Sequence, residues 1–325
     1  MKYLITGAAR FIGSHLADYL LKDGHDVIGL DNLSTGRLEN VEHLKSHKHF
    51  ELTVDSILNP NVLSKLVKTA DIVIHLAASV GVKLIMEKPV ETIRTNILGT
   101  EEVLRFASLY RKKILIASSS EVYGKIQDEN NDLLALKEDD DTKMGPTSKR
   151  RWAYAASKSI DEFLGLAYYE EKNLPTVIVR FFNTVGPRQT GRYGMVIPRF
   201  VRRALLNEPL QIYGDGEQRR CFTYVGDAIM GIVQLIHTTK AEGQIFNLGS
   251  TTEITINELA EIVKKVTGSQ SEIIQIPYEE VYGRGFEDMR RRTPDISKLQ
   301  ATINFEPTKT IEEIVELVAD FMRRK

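Results

Sequence analysis

A single cysteine, Cys221, in 325 residues leaves no partner for an internal disulfide and no thiolate set for a Cys-based zinc site. Such usage fits a reducing compartment. Net charge is nearly absent too, with 43 basic residues against 44 acidic ones and a formal charge of -1. No global field therefore draws nucleic acid or an anionic membrane, and any anionic ligand must be held by local groups. Long apolar runs are missing. The opening "MKYLITG" has one charge and too short an apolar stretch for a secretory core, and nothing later approaches a membrane span. The expectation is a cytoplasmic protein with no nucleic-acid or membrane partner. Internal repeats and low-complexity segments are lacking as well.

What is present is enough apolar material, 42%, for one large or two medium cores. Short β-branched runs alternate with amphipathic stretches through the first half: "KYLIT", "SHLADYLLKDG", "DVIGLD", "VLSKLVKTA", "DIVIHLAA", "GTEEVLRFASLY" and "KILIASSS". Apolar strands separated by helices predict an α/β fold, a Rossmann-like doubly wound parallel sheet. The polar "KEDDDTK" reads as an exposed loop. "YAASKSIDEFLGLAYYEEK" is a helix and "PTVIVRFFN" a buried strand. Beyond Asn183 the elements are spaced irregularly, which predicts a smaller C-terminal α/β lobe; "TINELAEIVKKVTG" opens with a Thr or Asn helix cap. The expected division gives the cofactor lobe residues 1–183, with return segments about 222–249 and 293–304. The substrate lobe then takes 184–221, 250–292 and 305–325.

"ITGAARFIGSHL" places Gly7 and Gly13 at the outer positions of a glycine turn between strand and helix, with Arg10 in the middle. Backbone N–H groups and the helix start there face an anion, commonly a dinucleotide pyrophosphate. Asp31 ends the next strand at the spacing where a carboxylate takes ribose hydroxyls; it would repel a 2'-phosphate, which favours NAD. Asp55, at the end of the third strand, stands as an adenine contact or a plain loop aspartate. Arg10 has three readings: a side chain in solvent, a phosphate clamp, or a β-carbon that pushes the cofactor away.

Tyr154 and Lys158 in "WAYAASKS" lie one helical turn apart on one face. A neighbouring ammonium stabilises a phenolate, which makes Tyr154 a base for removing an alcohol proton while hydride leaves the same carbon. "IASSSEVYG" precedes them at a strand's carboxyl end, where α/β ligand sites form. His43, His47 and His49 cluster in sequence without completing a metal site, and no metal is expected.

Together "TGAARFIGSHL", "DNLSTG", "VIHLAA", "NILGT", "SSSEVYG", "YAASK", "RFFNTVGPRQ", "GDGEQRRCFTYVGD" and "RRRTPDISK" identify the chain, over nearly its whole length, as resembling the extended short-chain dehydrogenases/reductases of the nucleotide-sugar epimerase, dehydratase and decarboxylase group. The resemblance implies that Ser119 hydrogen-bonds the sugar O4, Tyr154 is the base, and Lys158 holds the nicotinamide ribose. The expected cofactor set is Gly7, Arg10, Phe11, Ile12, Gly13, Asp31, Asn32, Asp55, Ser56, Leu76, Ala77 and Lys158. The expected substrate set is Lys83, Ser120, Asn183, Val196, Tyr213, Arg220 and Arg292. It further implies a homodimer through an intermolecular four-helix bundle, with Val103, Leu104, Ile160, Leu164 and Leu166 supplying contacts.

Members of the group first oxidise the hexose at C4, and extra groups decide the next step. Ser120-Glu121 is the pattern of GDP-mannose dehydratases and UDP-glucuronate decarboxylases, and "RRCFT" with "GPTSKRRWAYAASK" favours the decarboxylases. A C6 carboxylate β to a C4 ketone loses carbon dioxide readily once the enolate is stabilised, with Arg220 orienting the carboxylate or stabilising the enolate and Glu121 handling protons and position. The expected product is UDP-xylose or a UDP-4-ketopentose. The segment "AASVGVKLIMEKP", with Lys83, instead resembles uronate and N-acetylhexosamine 4-epimerases, so that reaction stands as an alternative, as does dehydration. A non-catalytic nucleotide sensor is a remote fourth reading, opposed by the complete Ser119, Tyr154 and Lys158 set.

Overall fold

The computed structural model describes residues 1–80, 88–126, 135–191, 195–282 and 288–324. In chain order the first half runs β1 (Lys2–Thr6), α1 (Phe11–Lys22), β2 (Asp26–Asp31), β3 (Phe50–Val54), α2 (Pro60–Thr69), β4 (Ile72–His75), α3 (Pro89–Leu109), β5 (Lys113–Ser119), α4 (Trp152–Lys172) and β6 (Thr176–Phe181). The second half runs β7 (Thr184–Val185), α5 (Val196–Leu205), β8 (Leu210–Tyr213), β9 (Arg219–Cys221), β10 (Thr223–Tyr224), α6 (Val225–His237), β11 (Gln244–Leu248), β12 (Glu253–Thr255), α7 (Ile256–Thr267), β13 (Ile273–Ile276), α8 (Tyr278–Tyr282), α9 (Ser297–Ile303) and α10 (Ile311–Arg323).

Seven strands form one parallel sheet in the order β11-β6-β5-β4-β1-β2-β3, with Leu4 of β1 registered between Ile28 of β2 and Val73 of β4. These strands read as continuous apolar runs because helices cover both faces. On one face α1 and α6 enclose Ile5, Leu16, Ile74 and Ile232; on the other, residues of α2 and α3 pack with Leu4, Val73 and Ile116. Chain order reverses between β1 and β4, so the carboxyl ends of those strands open a crevice at the switch point. A separate core, built from α5, α7, α10 and the short strands, buries Phe200, Ile212, Leu259 and Val315 beside that crevice.

Two expectations are corrected here. The helix anticipated at "GTEEVLRFASLY" begins ten residues earlier, at Pro89, whose missing N–H costs nothing in the first helical turn. Val103 and Leu104 are 0% exposed in the core between α3 and the sheet, so they are closed to a partner chain. Each stabilises the fold by on the order of 1.5–3 kcal/mol instead. Leu164 and Leu166 pack, half-buried, against the same core. The outward apolar residues of α3 and α4 include Val90, Ile93, Leu98, Ile160 and Phe163. The acidic stretch after Leu136 is mostly exposed, but Glu138 turns inward and accepts the Asn247 N–H at 2.7 Å. Among the described residues no helix is long and apolar enough to cross a membrane.

Candidate active site

The turn after β1 is built by two glycines. Gly7 sits at φ +77 with its N–H on the Leu30 carbonyl, 2.7 Å away. A β-carbon on Gly13 would stand 2.2 Å from the Gly7 oxygen, so only glycine lets α1 start this close to the strand. Asp31, buried at the end of β2, accepts the Ala9 N–H at 3.0 Å and the Leu33 N–H at 2.8 Å. Burial pushes its pKa up, against those bonds and the charge of Arg10. Arg10 is the N-cap residue of α1, in extended backbone that any residue adopts. Its guanidinium reaches across the turn to donate to the Ala78 carbonyl after β4. Of its three readings, the solvent-directed side chain is excluded.

A cavity of about 460 Å³ runs from Gly7, Arg10 and Gly13 past Ser119 and Tyr154 to Arg151, Arg220 and Arg292. The glycine turn, the open start of α1 and the Asp31 carboxylate together suit a dinucleotide with free ribose hydroxyls. Phe11, Ile12 and Leu76 also line the cavity. Ala77 donates its N–H to Thr6 Oγ1 at 3.2 Å. Asn32 accepts from Ser34, and Asp55 accepts the Ser56 N–H at 2.6 Å and Asn59 Nδ2 at 3.0 Å, so both shape their own loops.

At the centre, Ser119 ends β5 and Tyr154 and Lys158 share one face of α4. Burial pushes Tyr154 above the ordinary phenol value, while the Lys158 charge and a hydrogen bond with Ser119 pull it back. Lys158 is buried and donates to Asp161 Oδ2 at 2.9 Å. Beneath them His75 bridges Thr6 Oγ1 at 2.7 Å and Thr100 Oγ1 at 3.1 Å. Burial, then the Lys158 charge, lowers His75 to about 3, which keeps it neutral.

The far end of the cavity is a group of guanidiniums on two carboxylates. Glu121 accepts from Arg292 Nη1 and, at 3.1 Å, from Arg151 Nη2. Burial alone would raise its pKa; the two arginines reverse this and hold it at about 2. Arg220 donates to Asp288 Oδ2 at 3.1 Å, and Arg151 lies 3.6 Å from the same carboxylate. Asn183, at φ 35, donates to the Cys221 carbonyl at 2.8 Å and accepts from Arg292 at 3.3 Å. Ser120, Val196 and Tyr213 line the wall, with Arg199 stacked 3.7 Å over the Tyr213 ring. Lys83 lies outside the described residues. Arg151, Asp288 and Asp161 escaped the reading from sequence. Arg151 sits three residues before Tyr154, a helical spacing that signals a shared face. The histidines form no common centre: His43 pairs with Asp18 at 2.6 Å, while His49 pairs with Asp26 at 2.7 Å and donates its backbone N–H to His47 Nδ1 at 3.3 Å.

The glycine turn, the Ser119-Tyr154-Lys158 constellation and the arginine group thus share one cavity. A family model described as GDP-mannose 4,6 dehydratase matches residues 4–318. The chain belongs to that family. Among family relatives, the UDP-N-acetyl-alpha-D-glucosaminuronate decarboxylase of Bacillus cytotoxicus is 45% identical over 317 residues, covering 95% of this chain and 94% of its own. UDP-glucuronic acid decarboxylase 1 of Xenopus tropicalis is 34% identical, over 100% of this chain and 72% of its own. The structure of UDP-glucuronic acid 4-epimerase from Bacillus cereus, in complex with UDP-glucuronic acid and NAD, superposes with a TM-score of 0.87 at 32% identity, over 100% of this chain and 99% of that one. The chain is therefore an extended short-chain dehydrogenase/reductase, an enzyme of the nucleotide-sugar group.

Proposed function

We propose that this enzyme decarboxylates a UDP-linked uronate, UDP-glucuronate in the first instance, by way of a C4 ketone. The observation that carries the reading is the arginine group in the cavity of the oxidation set: Arg220, Arg151 and Arg292, paired with Glu121 and Asp288, line the same cavity as Ser119 and Tyr154. A diphosphate and a uronate carboxylate match such a cationic wall. In this reading residues 1–183, about 222–249 and 293–304 hold the cofactor, while 184–221, 250–292 and 305–325 hold the nucleotide sugar. NAD, bound along Gly7, Gly13 and Asp31, supplies the hydride acceptor. Ser119 orients the C4 hydroxyl and Tyr154 takes its proton, with Lys158 stabilising the phenolate. The C4 ketone lets the C5–C6 bond break: carbon dioxide leaves, the electron pair moves to O4 as an enolate, and C5 then takes a proton from solvent to give the 4-ketopentose. Arg220 fixes the departing carboxylate. Glu121, held ionised, fixes Arg292 and Arg151 and delivers no proton at neutral pH.

C4 epimerisation is the second reading, favoured by that same ionised Glu121, since inversion at C4 needs no proton at C5. Dehydration removes the C5 proton and needs an acid for the departing hydroxyl, which an ionised Glu121 does not supply. The outward residues Val90, Ile93, Leu98, Ile160 and Phe163 supply the face of a homodimer built from α3 and α4 of each copy. The buried free thiol of Cys221 fits a cytoplasmic home.

The deciding experiment incubates the protein and NAD with UDP-glucuronate, its 2-acetamido counterpart, UDP-glucose, UDP-N-acetylglucosamine, GDP-mannose and dTDP-glucose, and tracks products by mass and NMR. Loss of carbon dioxide from a uronate is expected. Unchanged mass with inverted C4 makes the enzyme an epimerase, and loss of water makes it a dehydratase. Tyr154→Phe should abolish every outcome.

A further inference from the structure

We infer that Asp161 is a positioning residue for the oxidation step: set three residues beyond Lys158 on α4, it holds that side chain as an ammonium in a dry core, where the charge acts on Tyr154. The inference rests on Tyr154 being the base proposed above. Lys158 is 2% exposed and Asp161 is 0% exposed, with Nζ and Oδ2 2.9 Å apart. An ammonium buried this far without a partner loses up to 3–5 pKa units, which brings a lysine toward neutrality at working pH. A neutral Lys158 stabilises no phenolate.

The surroundings supply no substitute for Asp161 among the described residues. From β4, His75 is neutral and already bridges two threonines. Burial pushes the Asp161 carboxyl up, and Lys158 first, then a hydroxyl from Thr100 of α3, work against that rise. On α4 itself Glu162 is committed to Arg180 of β6 by bonds of 2.9 and 2.8 Å, and it also accepts from Ser118 of β5. Beyond the end of β5, Glu121 is held by Arg292 and Arg151. Burial works against the Lys158 charge, and Asp161 beside it turns the balance the other way.

Stability alone does not account for this carboxylate. Asp161 Oδ1 is buried with no hydrogen-bond partner among the described residues. A buried pair that leaves an oxygen unsatisfied costs about as much as it returns, and apolar residues in place of both Asp161 and Lys158 would serve the fold as well. Placing a buried ammonium beside Tyr154 is what an apolar pair would not do.

The test is the pH dependence of turnover in Asp161→Asn holoenzyme, with the reactive sugar of the panel above. The acidic limb, which reports Tyr154 losing its proton, should move up by about one pH unit. At pH 7, kcat should fall about tenfold while KM stays within about threefold. A limb that stays in place or moves down overturns the inference, because Asp161 would then be structural or would oppose Lys158. Should this variant fail to fold, NMR of lysine labelled at Cε in the wild-type holoenzyme decides, with the Lys158 signal assigned by its loss in Lys158→Arg. A Lys158 that stays charged up to about pH 9 supports the inference, and one that titrates below that overturns it. Full turnover in Tyr154→Phe would instead sink the functional reading and leave the Lys158 titration standing.

Discussion

Replacing Glu121 by glutamine removes a charge that two buried guanidiniums share, and the consequence for stability can be worked out. Arg292 and Arg151 hold the carboxyl at about 2, against an ordinary 4.5. At about 1.4 kcal/mol per pKa unit that is roughly 3 kcal/mol of folding stability. Only a fifth of the side chain is exposed, so screening by water trims the figure modestly. The glutamine keeps the shape and one acceptor but leaves both arginines short of a counter-charge in a confined space, which is the costly way to break a buried pair. The sign is set by the lowered folded-state pKa. The stabilisation is complete above the unfolded value near 4.5 and disappears as pH falls through about 2. Urea unfolding of wild type and Glu121→Gln should therefore differ by about 2–3 kcal/mol at pH 7 and by about 1.4 kcal/mol at pH 3. A difference under about 0.5 kcal/mol, or one that does not shrink with acid, would refute the clamp. The same variant separates reactions, because losing the clamp should cripple decarboxylation while sparing simple C4 inversion.

Arg10→Gly should weaken NAD binding several-fold in calorimetric titration of stripped protein, since it cuts the tie from the glycine turn to the Ala78 carbonyl; tighter binding would mean that the arginine crowds the cofactor. Phe163→Glu, at a position 74% exposed on α4, should turn a dimer into a monomer in light scattering while leaving the circular dichroism intact, and an unchanged dimer mass would place the interface elsewhere.

The strands were the legible part. Parallel strands covered on both faces must be apolar throughout, and "YLIT", "VIGL", "IVIH" and "ILIA" leave little else to be. The faces of the helices were harder. Val103 and Leu104 are adjacent in sequence, and both turn to the core because α3 packs against the sheet and α4 together. The outer stripe then falls to Ile93 and Leu98, which periodicity alone did not separate from the inner one. The start of α3 was missed because Pro89-Val90-Glu91-Thr92 carries no apolar repeat, although a proline at the first helical position is itself a signal.

Helix caps explain both what the sequence disclosed and what it withheld at the site. At two helix ends the chain uses the residues that stability asks for. Thr255 with Glu258 opens α7 and Thr310 with Glu313 opens α10, each as a reciprocal capping box, and for α7 the sequence narrowed the cap to a threonine or an asparagine. At two helix ends that line the cavity the chain does the opposite. Arg10 stands at the N-cap of α1 and Arg151 at the N-cap of α4, and neither makes a side-chain cap bond. A cation at a helix N-terminus opposes the macrodipole and caps nothing, a local cost of a few tenths to about 1 kcal/mol. Glu121 and Asp288 offset that cost for Arg151 as matters stand. An incoming diphosphate or carboxylate would meet both the exposed N–H groups and the guanidinium. A cationic cap is not peculiar to the cavity, since Lys88 stands at the N-cap of α3, and reading one from sequence requires the helix start to within one residue. Sequence periodicity places helix ends less finely than that, so Arg10 drew notice through its glycine turn and Arg151, preceded by Lys149 and Arg150, did not.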